Sequence, residues 1–165
     1  MRLCDRDIRY EMTTGLVITP VEDIQFQPAS VDLRLGNELR TPDDGVLYRL
    51  TATGFVLQPF AFLLGDTLEY LEIPPYLSAE LYGKSSLGRI GLQVHCTAGF
   101  VDPGFKGTLT LELSTLSEQG IVLRPGMPVG QLCIDQMSGP ADRPYGHPEL
   151  KSKYMSQSGP TLARE

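Results

Sequence analysis

The sequence has few of the residues from which metal and disulfide sites are commonly built. Its three cysteines, Cys4, Cys96 and Cys133, form no CxxC pair, and any pairing leaves one over. The two histidines, His95 and His147, are too few for a histidine-rich metal site. Unpaired cysteines are typical of a reducing compartment, so the sequence predicts a cytoplasmic protein.

Positive charge and long apolar runs are also scarce. There are 14 Lys and Arg against 20 Asp and Glu, which gives a net charge of −6. Nucleic-acid and membrane partners are therefore not expected, because both need a basic surface, although a local group of cations can still bind a phosphorylated small molecule. The longest apolar run, residues 60–64, is far shorter than the ~20 residues of a membrane span. The first six residues show no apolar core of a signal peptide.

Glycine and proline are frequent, with 17 and 13 residues spread along a chain of 165. Such frequent interruption favours short strands and turns over long helices. The length is that of one domain, so we predict a single domain over 1–165 in which 140–165 is a C-terminal tail. The predicted fold is mainly all-β, a barrel or sandwich with one or two short helices.

Local patterns place the elements of this fold. Asp5 is predicted to cap a helix that ends near Gly15. Residues 30–36 and 108–113 alternate between apolar and polar, as half-buried strands do. Further strands are predicted at 55–57, 62–64, 66–73 and 129–135.

The densest polar segment is Gly-Lys-Ser-Ser-Leu-Gly-Arg at 83–89. Its small residues allow close backbone approach, and its hydroxyl, ammonium and guanidinium groups are donors that suit a phosphate. A P-loop is rejected, because Ser78 stands where that motif needs glycine and no βαβ pattern surrounds the segment. The alternative is a plain polar turn.

Two further segments carry polar residues with more than one interpretation. Asp102 begins an Asp-Pro-Gly turn signal, where aspartate more often forms the turn than catalyses. His95, between apolar neighbours, is most simply a half-buried structural residue. Glu112 shares a strand face with Thr108 and Thr110, and this face is either solvated or the wall of a pocket in which a carboxylate can shuttle protons.

Taken together, these segments resemble the dCTP deaminase family, a branch of the trimeric dUTPase superfamily. The resemblance implies a distorted β-barrel of the trimeric dUTPase-like type, a homotrimer, and active sites between subunits. It covers nearly the whole chain and is carried by residues 27–35, 83–89, 97–113, 124–127, 130–132 and 152–154.

The chemistry that the resemblance implies is hydrolytic removal of the 4-amino group of dCTP, the small-molecule substrate. Glu112 would be the base that activates water, while Ser85, Arg89 and the Ala98 carbonyl orient the water and the developing charge. Zinc is not expected, because the H-x-E and CxxC elements of zinc deaminases are missing. Mg²⁺ would accompany the triphosphate through phosphate oxygens and water.

The resemblance also implies a set of substrate-binding residues. Four belong to the triphosphate cradle, two flank the base, Asp102 meets the deoxyribose, and the late strand and tail add phosphate and base contacts. Besides Asp102 and the general base Glu112, the substrate-binding residues are Lys84, Ser85, Ser86, Arg89, Thr110, Leu111, Gln131, Tyr145, Lys153 and Gln157.

Gly99 and Phe100 bear on the product of the reaction. Family members that release dUTP tend to carry His-Arg here, whereas dUMP-forming members carry glycine and an aromatic residue, as this chain does. The pair predicts a bifunctional enzyme in which Asp102 orients a second water at the α-phosphorus, giving dUMP and pyrophosphate. The alternatives are a deaminase that stops at dUTP, a plain dUTPase, and a non-catalytic nucleotide sensor, which would not need the intact base.

Overall fold

The computed structural model describes residues 1–164, and most of its regular structure is β-strand. Two short α-helices and two 3-10 turns, Asp23–Gln25 and Pro148–Leu150, interrupt the strands. The elements are α1 (Asp5–Glu11), β1 (Val17–Thr19), β2 (Phe26–Gln27), β3 (Ser30–Arg34), β4 (Glu38–Arg40), β5 (Leu47–Arg49), β6 (Phe55–Leu57), β7 (Phe62–Glu72), β8 (Leu77–Gly83), α2 (Ser85–Gly88), β9 (Leu92–Gln93), β10 (Phe100–Val101), β11 (Lys106–Thr115), β12 (Ile121–Leu123) and β13 (Pro128–Gln136).

The strands form two main sheets and a small third one. The first runs in the order β5-β4-β7-β11-β9, with β1 also paired to β7, and the second runs β10-β8-β13-β3-β2. The third is the pair β12-β6. Side chains from both main sheets, such as Leu33, Leu111 and Leu132, are fully buried in one core. The predicted mainly all-β fold with short helices is confirmed. Within residues 1–164, no helix combines the length and apolar character that a membrane crossing requires.

The structure corrects the prediction of two strands at 62–64 and 66–73, which are one continuous strand, β7. Gly65 lies between the two predicted strands, where glycine commonly marks an interruption. A Cβ at Gly65 would lie 2.9 Å from a methyl carbon of Leu113. Gly65 therefore leaves room for the packed side chains of Leu113 and Leu35, and it does not mark a turn.

The helix predicted at the N-terminus is present as α1, but its cap differs from the prediction. Cys4 is the N-cap, its side chain makes no capping hydrogen bond, and Asp5 is already the first helical residue. Asp5 and Asp7 place negative charge in the first turn, where it interacts favourably with the helix dipole. Ile8, fully buried, attaches the helix to the core.

A buried ion pair connects β3 with β7. The Glu69 carboxylate is fully buried, and it accepts hydrogen bonds from the Arg34 Nε at 2.7 Å and the Arg34 backbone amide at 2.8 Å. Gln25 Nε2 donates a further bond to Glu69 at 2.9 Å. The guanidinium of Arg34 also reaches Glu22 at 2.6 Å. A buried charge with this many partners is stable only while its cation remains.

Replacing Arg34 by methionine is expected to lower the free energy of unfolding by about 3 kcal/mol, because Glu69 would keep a buried charge without its cation. Urea unfolding monitored by circular dichroism measures this loss. The control is Arg6→Met, which removes the partner of Asp7 from a surface pair whose arginine side chain is 84% exposed, and it should leave the unfolding curve nearly unchanged. Equal effects of the two variants would contradict the prediction.

Candidate active site

Glu112 lies on β11 and points away from the core, since its neighbours Leu111 and Leu113 are fully buried on the opposite face. The side chain is half-buried. Its Oε2 accepts a hydrogen bond from the backbone amide of Cys96 at 2.6 Å, and its own amide bonds the Val94 carbonyl at 3.0 Å. The segment after β9 therefore holds both the backbone and the carboxylate of Glu112.

The Cys96 thiol is a neighbour of Glu112 that sequence reasoning missed. Burial raises the pKa of the Cys96 thiol, and the adjacent Glu112 carboxylate raises it further. The thiol therefore stays protonated beside the carboxylate. No sequence signal could have found the hydrogen bond from the Cys96 amide to Glu112, because a backbone amide donates whatever the residue type.

Asp102, Phe100 and Tyr145 come together around a cavity of about 350 Å³, which Arg143 also lines. Burial raises the pKa of the Asp102 carboxyl. The Phe100 ring is 59% exposed at the cavity wall. The Tyr145 ring packs on Phe105 with centroids 5.9 Å apart, and its hydroxyl accepts a hydrogen bond from the Tyr154 amide at 2.9 Å. The structure thus joins three of the predicted residues in one concave site.

Gly99 has no room for a side chain. A Cβ there would lie 2.8 Å from the Leu81 carbonyl oxygen and 3.2 Å from Nε2 of His95. The close approach is fixed by a hydrogen bond of 2.7 Å from the Leu81 amide to the Gly99 carbonyl. The pairing of this segment with β8 therefore requires glycine at position 99. This steric requirement is separate from the predicted effect of Gly99 on the reaction product.

The predicted phosphate cradle lies at the end of β8 and in α2. Lys84 is the N-cap residue of α2, and the exposed residues Ser85, Ser86 and Arg89 follow it. Lys84 is not free, since its ammonium contacts both carboxylate oxygens of Asp32. Sequence reasoning missed Asp32, because its place in an alternating strand is also that of an ordinary solvated residue.

No polar contact links the predicted cradle to the predicted general base within the described residues. Among residues 1–164, the side chains of Ser85 and Arg89 form no hydrogen bond or ion pair with Glu112. Gln131, also predicted to bind substrate, lies with the cradle, where its amide bonds the Gly83 carbonyl at 3.4 Å. Lys84, Ser85, Ser86, Arg89 and Gln131 therefore form one group of predicted site residues, to which Glu112 is not hydrogen-bonded within residues 1–164.

The C-terminal segment packs on the outer face of β11. Gln157 is 9% exposed, and its side-chain amide donates to the Thr108 carbonyl at 2.8 Å. The Thr161 amide donates to the Thr110 hydroxyl at 3.3 Å. Lys153 Nζ donates to a carbonyl of the same segment at 3.0 Å. The tail therefore covers the part of β11 that holds Thr108 and Thr110, the latter predicted to flank the nucleobase. Residue 165 of the predicted tail is outside the described residues.

Asp66, opposite Thr110 on β7, lies under this tail and is 8% exposed. Burial raises the pKa of Asp66 from 3.8 to about 6, and the Glu38 carboxylate adds to the rise. The backbone amide of Gly159 in the tail favours the charged carboxylate of Asp66 and so offsets part of the rise in its pKa. A Cβ at Gly36 would overlap the Asp66 carboxylate, so glycine at that position makes room for it.

The raised pKa of Asp66 predicts a pH-dependent contribution to stability. The folded protein binds the Asp66 proton more tightly than the unfolded chain does. The contribution of this proton to the free energy of unfolding is therefore fully present below about pH 4 and is lost as the pH rises to about 6. Replacing Asp66 by asparagine is expected to raise Tm relative to the wild type more at pH 7 than at pH 4.5. The control Asp43→Asn, on an exposed turn, should show the same Tm difference at both pH values. A constant difference for Asp66→Asn would contradict the prediction.

Residues 1–164 contain no group of three or more His, Cys, Asp or Glu side chains placed to hold a metal ion.

Comparisons with known proteins connect this geometry to one family. Residues 2–137 match the family described as dCTP deaminase-like. The chain is 46% identical to the dUMP-forming dCTP deaminase of Mycolicibacterium vanbaalenii, over 99% of this chain and 95% of that protein. It is 46% identical to the enzyme of the same name from Beutenbergia cavernae, over 99% and 94%, and 45% identical to that from Nocardia farcinica, over 99% and 91%.

Solved structures agree in fold. The 2′-deoxycytidine 5′-triphosphate deaminase of Agrobacterium tumefaciens superposes with a TM-score of 0.68 at 28% identity, over 81% of this chain and 47% of that chain. A mutant dUTPase of the S. aureus phage phi11, whose structure describes a structural Mg(II) ion, superposes with a TM-score of 0.51 at 15% identity, over 76% and 93%. The predicted dUTPase-like fold is confirmed. The chain belongs to the dCTP deaminase-like family.

Proposed function

We propose that this protein is a hydrolase that converts dCTP and water to dUMP, ammonia and pyrophosphate. The observation that carries the proposal is the 46% identity, over nearly the whole of both chains, to dUMP-forming dCTP deaminases. The half-buried Glu112 and the cavity around Asp102 and Phe100 supply groups for the two steps.

In the first step, Glu112 acts as the base. Its carboxylate takes a proton from water, and the hydroxide adds to C4 of the cytosine ring. Glu112 passes this proton to N3 and then moves the proton of the new C4 hydroxyl to the amine. The C4 carbonyl forms as the C4–N4 bond breaks and ammonia leaves. The hydrogen bond from the Cys96 amide fixes the carboxylate against the strand while protons are transferred. Ser85, Arg89 and the Ala98 carbonyl orient the water and stabilise the charge that develops.

In the second step, Asp102 orients a water at the α-phosphorus. The oxygen of this water bonds to the α-phosphorus and a proton of the water passes to solvent. The bond from the α-phosphorus to the bridging oxygen breaks, and pyrophosphate leaves. The exposed Phe100 ring at the same cavity leaves space that a long cationic side chain would occupy. Asp102 also pairs with the 3′-hydroxyl of the deoxyribose.

For binding, we assign the triphosphate to Lys84, Ser85, Ser86 and Arg89. The backbone of Thr110 and Leu111 flanks the base. The late strand and the tail complete the site through Gln131, Tyr145, Lys153 and Gln157. Mg²⁺ enters with the substrate, held by phosphate oxygens and water.

We infer that a second copy of the chain completes the site in a homotrimer. No hydrogen bond or ion pair joins Ser85 or Arg89 to Glu112 within residues 1–164, which supports a site in which the two groups come from different protomers. Ile90 beside the cradle and Leu116 at the end of β11 are 53% and 74% exposed, which suits a surface that another subunit covers. The free cysteines fit a cytoplasmic location.

Product analysis tests the proposal. The protein is incubated with Mg²⁺ and either dCTP or dUTP, and the products are separated by chromatography. We expect dUMP, ammonia and pyrophosphate in equal amounts from dCTP. Accumulation of dUTP without pyrophosphate would identify a deaminase that stops after the first step. Turnover of dUTP alone would identify a dUTPase, and binding without turnover would identify a nucleotide sensor.

A further inference from the structure

Lys84 is held by a carboxylate that the catalytic proposal does not use. Its Nζ lies 2.7 Å from Oδ1 and 2.6 Å from Oδ2 of Asp32. The Asp32 side chain is 11% exposed and that of Lys84 is 24% exposed, so the pair is well shielded from water for a surface element. A contact with this geometry is a charge-assisted hydrogen bond that fixes the position of the ammonium.

The two partners differ in how firmly the fold holds them. Asp32 lies in β3, directly opposite Gln131 of the central strand β13. Gln131 is in turn opposite Tyr82 of β8, the strand that leads to Lys84. The carboxylate thus lies in a rigid sheet, while the ammonium ends a flexible four-carbon side chain at the start of a four-residue helix. Asp32 therefore determines where the Lys84 ammonium lies.

We propose that Asp32 is a positioning residue that aims Lys84 at the triphosphate. This inference rests on the proposed function, in which Lys84 belongs to the phosphate cradle. An ammonium has three N–H donors. The two Asp32 oxygens engage two of them, so the third remains for a phosphate oxygen.

The pairing also defines what Lys84 contributes to binding. Because Asp32 neutralises its charge, the pair offers the triphosphate a directed hydrogen bond with little net charge. The uncompensated positive charge of the cradle is then that of Arg89, which forms no ion pair among residues 1–164. Neutralising Asp32 would make the cradle more positive, which favours triphosphate binding. It would also release the Lys84 ammonium from its fixed position, which disfavours binding. The direction of the change in binding therefore shows whether net charge or the position of the ammonium matters more.

The test is a double-mutant cycle of Asp32→Asn and Lys84→Met, read as KM and kcat for dCTP. We expect Asp32→Asn to raise KM about tenfold, the effect of losing one charge-assisted hydrogen bond, and to leave kcat within about twofold of the wild type. In the Lys84→Met background, adding Asp32→Asn should raise KM no further, since there is no ammonium left to position. The control Asp43→Asn changes the net charge equally on an exposed turn and should leave both constants unchanged.

An unchanged or lowered KM in Asp32→Asn, or equal increases in KM with and without Lys84, would overturn the inference. If Asp32→Asn does not fold, Asp32→Glu displaces the carboxylate by one methylene and provides the same comparison. The cycle is measured on whichever triphosphate the product analysis identifies, or as a dissociation constant if there is no turnover. Failure of the deamination proposal and failure of the Asp32 inference are therefore separate results.

Discussion

Replacing Glu112 by glutamine is expected to lower the rate of ammonia release from dCTP about a thousandfold, the scale of a lost general base. The glutamine amide has nearly the shape of the carboxylate, and its oxygen can still accept the hydrogen bond from the Cys96 amide. It cannot take a proton from water. Binding of dCTP, measured by calorimetry, should therefore change little while the chemical step is lost.

The matched control for this variant is Glu118→Gln, which makes the same chemical change in an exposed turn a few residues along the chain. It should keep wild-type ammonia release. If Glu112→Gln retained deamination at more than about a tenth of the wild-type rate, less than the smallest usual effect of a general base, Glu112 would not be the base. If dCTP binding were lost as well, the carboxylate would be needed mainly to hold the site together.

Replacing Phe100 by arginine is expected to lower the ratio of pyrophosphate to ammonia about tenfold, because a displaced water near Asp102 would no longer be aligned with the α-phosphorus. Both residues line the same cavity, so a guanidinium there would pair with the Asp102 carboxylate and fill the space of the second water. Deamination at Glu112 should be affected much less. The two rates are measured together in one reaction with dCTP.

Phe100→Leu is the control, since it keeps an apolar side chain and should keep the product ratio. The single substitution avoids Gly99, where any Cβ would lie 2.8 Å from the Leu81 carbonyl oxygen and would force β8 and β10 apart. Equal losses of ammonia and pyrophosphate in Phe100→Arg would mean that this position supports both steps alike and does not select the product.

The strands that alternate regularly were predictable from the sequence. The pattern at 108–113 marks β11, and that at 30–36 marks β3, because successive side chains of a strand point to opposite faces of its sheet. The pattern failed at Gly65, where the glycine that suggests a break in a sequence serves close packing in the fold. A single sequence does not distinguish these two uses of glycine.

The predicted site residues were only partly joined by the structure. Asp102, Phe100 and Tyr145 share a cavity, although more than forty residues separate Phe100 from Tyr145 in the sequence. Lys84 was predicted as a phosphate ligand without any statement of its partner within the chain, and the structure pairs it with Asp32. The partner could not be inferred, because the pair joins strands whose register depends on long-range pairing.

The sequence by itself determined the strand-rich fold, the absence of a zinc deaminase signature and the ordered motifs that identify the family, because these depend on residue type and local spacing. Only the tertiary structure decided that the Cys96 amide holds Glu112, that Asp32 holds Lys84, and that the tail covers Asp66. Each of these contacts joins residues at least 16 positions apart, and each depends on how the strands pair and pack, which local spacing does not specify.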